Sequence, residues 1–93
     1  MANTKPKNVT LSPFVATELK KAMLDVDVTT EQLGNGDTGR AWRYRLTCPG
    51  RMTMEDFLYL CDRLYTDPVE LFSNAMEARD RAAIRERAQR RRL

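Results

Sequence analysis

Residues 52–72 read MTMEDFLYLCDRLYTDPVELF, and two helix starts are written into them. Thr53 with Asp56 three positions later is a variant of the capping box, in which each end of the first turn supplies a hydrogen-bond partner for the other. Met54, Phe57, Leu58, Cys61, Leu64 and Tyr65 then recur at i, i+3, i+4 and i+7, which makes one apolar stripe along a helix. Asp67, Pro68, Val69 and Glu70 follow as an N-cap, a proline at the first helical position and an acid in the first turn, where the helix dipole favours negative charge.

Nothing after Pro68 breaks a helix, so this last one is expected to run to about residue 90. Its first half offers Leu71, Phe72, Ala75 and Met76 to a core, and its second half offers alanines and Ile84 among charges. The pairs Glu77 with Arg81 and Glu86 with Arg90 would add only about 0.2–0.5 kcal/mol each, so the end is expected to fray unless a partner chain or nucleic acid holds it.

Toward the N-terminus, Ser12 is placed to cap a helix with Pro13 at its first position, and Val15, Leu19, Met23 and Val26 recur at helical spacing over about residues 13–26. Thr29 and Gln32 form a second capping-box pattern, which opens a short helix that carries Leu33 inward and is stopped by Gly34, Asn35 and Gly36. Asp37 or Thr38 can cap the next helix, through RAWRYRL, which must end before Pro49-Gly50. No β-type alternation and no internal repeat interrupts this order. The expectation is an all-α, compact five-helix domain over residues 12–76, with a flexible N-terminal arm at 1–11 and a basic helical extension at 77–93.

Composition narrows the function classes. The chain has 93 residues, 42% hydrophobic and 31% charged, which suits one small helical domain rather than a disordered chain. It has two cysteines and no histidine. Cys48 and Cys61 alone fall short of a structural zinc site and match no redox pair, so both are read as buried small apolar residues in a reducing compartment. Without histidine, and with no serine or cysteine beside an activating partner, the chain is expected to be no enzyme and to need no metal or cofactor. The opening MANTKPKNVT has no apolar core of a signal peptide and no later stretch reaches membrane-spanning length, so a cytoplasmic location away from membranes is expected.

The formal charge of +3 is unevenly placed. Residues 77–93 carry seven arginines against three acids, which leaves the body close to neutral. Within that body TGRAWRYRLT, residues 38–47, sets three arginines among two aromatics without an acid. On a helix Arg40, Arg43, Tyr44 and Thr47 share one face, while Ala41, Trp42, Leu46 and the stem of Arg45 gather on the other. A basic face is most often simply solvated, and a tryptophan opposite it most often belongs to the core. The layout gives the basic face a use, because a short capped helix and a glycine turn before a basic helix is the order of a helix-turn-helix. In that arrangement the basic helix enters the major groove, arginine's fork reads guanine O6 and N7, and Thr29, Thr30, Gln32 and Thr38 meet phosphates.

The runs VTTEQLGNGDTGRAWRYRL (28–46) and MTMEDFLYLCDRLYTDPVELF (52–72) together resemble the Cro and phage-repressor (XRE-like) class of helix-turn-helix domains, over about residues 14–73. The second run matches the family's closing pattern almost position by position. The first departs from it at Gly34, where the family has alanine, and at Asp37, where it prefers an apolar turn residue. The resemblance implies a lambda-repressor-like fold and a transcriptional regulator of phage type, a repressor or Cro-like protein that binds double-stranded DNA at a palindromic operator as a homodimer. By position it makes Thr38, Gly39, Arg40, Arg43 and Tyr44 contact residues, with Trp42 and Leu46 holding the helix to the core.

The tail RDRAAIRERAQRRRL lies beyond the matched region and admits three readings: a helix that pairs two protomers, a basic arm whose Arg87, Arg90, Arg91 and Arg92 touch phosphates without sequence preference, or a solvated end. A competing function is a protein-interaction module, an antitoxin or a phage factor that grips a host protein. It would expose an apolar stripe on the last helix around Leu71, Ala75, Ala78 and Ala82.

Overall fold

The computed structural model describes residues 11–91, so residues 1–10 of the expected arm and Arg92 of the tail lie outside the described residues. The described chain is all-α: α1 (Ser12–Asp25), a 3-10 turn (Thr30–Gln32), α2 (Gly39–Thr47), a second 3-10 turn (Pro49–Arg51), α3 (Met54–Arg63) and α4 (Pro68–Arg91). These are four α-helices where five were expected. The expected second helix is the single 3-10 turn at Thr30–Gln32, because Gly34, Asn35 and Gly36 follow it at φ of 80°, 65° and 76° and the left-handed run leaves no room for an α-helical ladder. Its start is as expected in part: the Gln32 side-chain oxygen accepts from the Thr29 N–H at 2.9 Å.

The other starts follow their local chemistry. The Thr53 hydroxyl accepts from Asp56 N–H at 3.0 Å and the Asp56 carboxylate accepts from Thr53 N–H at 3.1 Å, so both halves of the box are made. Asp67 accepts from Val69 N–H at 3.0 Å ahead of α4. At α1 the cap differs: Ser12 is already helical, and Leu11 precedes it without a side-chain cap.

Both α1 and α3 end in the same paired hydrogen bonds. Val28 N–H reaches back to Met23 C=O at 3.0 Å and Thr66 N–H to Cys61 C=O at 2.8 Å. Each closure turns on one left-handed residue, Asp27 at φ 55° and Tyr65 at φ 55°. That backbone reversal swings Tyr65 out to 86% exposure, against its expected place on the α3 stripe.

The core is assembled from Leu19 and Met23 of α1, Leu33 after the first 3-10 turn, Trp42 and Leu46 of α2, Phe57, Leu60, Cys61 and Leu64 of α3 and its end, and Leu71 of α4. No polar or charged side chain is buried among the described residues. The largest helix contact is α4 along α1, so α4 turns Leu71 and Ala75 inward and leaves Phe72 and Met76 exposed. Those two, with Met54 and Leu58 of α3, were expected in the core. They instead rim an apolar groove with Pro68 and Val69, because α4 lies on α1 more than on α3. Val26, expected to extend the α1 stripe, sits past the helix end and is exposed.

The cysteines divide. Cys61 is buried as expected, and burial pushes its thiol up to about 11, with the nearby Asp67 charge acting in the same direction. Cys48 is exposed, contrary to expectation, because it caps the C-terminus of α2 where the chain turns away from the helix into Pro49. A thiol reagent at neutral pH is therefore expected to consume one equivalent quickly in the native protein and the second only on unfolding. Two thiols reacting at one rate in the native state would contradict this placement. No helix among the described residues is long and apolar enough to cross a membrane.

Candidate nucleic-acid interface

Helix α2 is positioned by its cap and its tryptophan. Thr38, extended at φ −79° and ψ 161°, accepts from Ala41 N–H at 3.1 Å through its hydroxyl and so serves one of the unpaired donors at the helix start. Trp42 is fully buried, its indole N–H donating to Gly34 C=O at 2.9 Å and its ring stacked on Tyr59 with centroids 5.8 Å apart. Tyr59 in turn donates its hydroxyl to Leu33 C=O. One helix of the core thus holds the glycine turn and the basic helix in a fixed relation.

Arg45 belongs to that support and not to the outer face. Its guanidinium lies 4.6 Å from the Trp42 ring centroid, donates to Asp37 at 2.8 Å and stands 3.6 Å from Asp56, the α3 capping residue. The hydrogen bond to Asp37 holds its pKa above the ordinary arginine value. Arg63 of α3 likewise donates to Gln32 C=O at 2.9 Å and ties the first 3-10 turn to the core.

Of the residues expected to contact DNA, Arg40, Arg43, Tyr44 and Thr47 are exposed along α2, as are Thr29, Gln32 and Thr38; Thr30 and Gly39 are half-buried. The structure brings Thr30 and Arg43 together, with Arg43 donating to the Thr30 hydroxyl at 3.2 Å. Gln32 spends its side-chain oxygen on its own turn, and Thr38 spends its hydroxyl on the helix start. Arg40 makes no ion pair among the described residues. In the tail Arg87, Arg90 and Arg91 are exposed on the last turns of α4, and Arg90 pairs with Glu86 at 2.8 Å.

One member of the site was missed by sequence reasoning. Glu31 forms an ion pair with Arg43 and also accepts from the Thr30 hydroxyl at 3.2 Å. Its carboxylate lies over the first turn of α2, where a Cβ on Gly39 would come within 2.7 Å of it. Glycine is what lets this acid cross the helix start. The Arg43 hydrogen bond, foremost, holds the Glu31 carboxyl below the usual carboxylate range. Twelve positions separate the pair, and no local pattern in the sequence joins them.

The stripe expected under the protein-interaction reading is not presented, since Leu71 and Ala75 are buried against the fold and Ala78 and Ala82 are half-buried. The apolar surface on offer is the groove of Met54, Leu58, Val69, Phe72 and Met76. No group of three or more metal-ligating side chains is gathered among the described residues. The chain is matched by no protein-family model, by no curated protein and by no solved structure.

Proposed function

We propose that the protein is a sequence-specific double-stranded DNA-binding transcriptional regulator, a phage-type repressor or Cro-like protein acting as a homodimer on a palindromic operator. The observation that carries this reading is the exposed face of α2. Arg40, Arg43, Tyr44 and Thr47 point outward from a nine-residue helix whose opposite side is locked to the core through Trp42 and Leu46. A rigid helix with an outward arginine face meets two needs of groove reading, a fixed frame and planar donors for guanine. The exposed arginines at the end of α4 suit a contribution to phosphate binding that is independent of sequence.

Selection from random duplex DNA at stated salt tests the reading. The expected product is an inverted-repeat consensus, bound less tightly as salt rises. A second reading, a protein-interaction module, is favoured by the uncovered groove between α3 and α4. Failure to enrich any sequence, with no salt-sensitive binding to duplex, would move the assignment to it.

A further inference from the structure

We infer that Glu31 is a specificity-determining residue of the α2 face, an internal competitor that holds Arg43 back from phosphates and releases it to a base edge; this rests on the proposed DNA-binding function. Arg43 is not a free cation. Its guanidinium is shared between the Glu31 carboxylate and the Thr30 hydroxyl, both on the 3-10 turn that precedes α2. The same side chain lies beside Gly39, the first residue of α2, and a helix start attracts phosphate. Glu31 therefore acts twice against a phosphate backbone. It neutralises the arginine, and it brings a like charge to the place where a phosphate would sit.

A guanine edge is a different partner. It accepts through O6 and N7 without a formal charge, so Arg43 can turn spare N–H groups to it while Glu31 remains close. The carboxylate is itself an acceptor suited to the N4 amino group of a paired cytosine. The pair thus favours a base pair over a phosphate. Exposure of both side chains, 55% and 60%, leaves the ion pair open to exchange in water.

The test compares wild type with Glu31→Gln, which keeps size and hydrogen bonding and removes the charge. Binding to a scrambled duplex is followed by fluorescence anisotropy from 50 to 200 mM salt. Glu31→Gln is expected to bind this duplex more tightly and with a steeper salt dependence, by roughly one released counterion, because Arg43 gains a phosphate. It is also expected to lose preference for the selected operator. A slope equal to or shallower than wild type overturns the inference, and so does uniform weakening on both duplexes, the outcome of a merely structural role. Carboxyl carbon titration of the DNA-free protein reads the pairing separately: Glu31 is expected to titrate low, and Arg43→Gln to move it up toward the ordinary range. An unmoved Glu31 would overturn the inference even if DNA binding holds, while absence of duplex binding with a low-titrating Glu31 would overturn the DNA reading and the Glu31 role with it, and leave only the ion pair.

Discussion

Trp42→Ala is expected to cost about 3–5 kcal/mol of folding stability, the largest loss of any single side chain in the molecule. Domains of this kind hold about 5–15 kcal/mol in total, so the variant should forfeit a large share of its folding stability. The residue is fully buried and is the only tryptophan. Its removal opens a cavity bounded by Tyr59, strips Gly34 C=O of its indole donor and leaves Arg45 without the ring beneath it. Because the variant has no indole fluorescence, urea unfolding is best followed by far-UV circular dichroism. Trp42→Phe is the control: it refills much of the volume, forfeits the hydrogen bond, and should lose about half as much or less. A loss below about 1 kcal/mol for Trp42→Ala would mean that the ring is not the anchor of α2.

The elements readable in advance were those whose signals are local. Thr38, Thr53 and Asp67 cap the helices their neighbours suggested, and Gly34, Asn35 and Gly36 stop the chain where expected, each because the deciding contact lies within three or four residues. Trp42 and Leu46 went inward because periodicity fixes which face of a helix can be buried, and the same rule placed the Arg45 stem beside them.

What escaped the sequence depends on partners far along the chain. Periodicity marks an apolar stripe but not its width, so it places Met54, Leu58, Phe72 and Met76 in a core that α4 closes more on its α1 side than on its α3 side. Tyr65 illustrates a different limit. A left-handed tyrosine, costing roughly 1–2 kcal/mol, is tolerated because it completes the α3 closure, and no turn residue announces it. At the site, arginine count was a poor guide to available charge. Arg45 is neutralised by Asp37 and Asp56, and Arg43 faces Glu31, so Arg40 is the α2 arginine without an acidic partner among the described residues.

Because Arg43 and Arg90 stand in different places and each faces its own acid, Arg43→Ala and Arg90→Ala are expected to differ. Arg43 stands on the outward face of α2, where one bidentate guanine contact is worth roughly 1–3 kcal/mol of discrimination, so its loss should cut operator preference by about tenfold to a hundredfold. Removing it also strands the Glu31 carboxylate on the face that meets DNA, so affinity for every duplex should fall as well. The double variant Glu31→Gln, Arg43→Ala separates the two effects: non-specific affinity should recover while preference stays lost. Arg90 differs, being exposed on the last turns of α4 and already paired with Glu86 at 2.8 Å. Its alanine variant should weaken operator and scrambled duplex by the same factor and reduce the salt slope by about one ion or less. Gel shifts on both duplexes at two salt concentrations resolve all four proteins. Normal operator preference in Arg43→Ala would remove α2 from the role of reader, and a loss of preference in Arg90→Ala would hand part of that role to the tail.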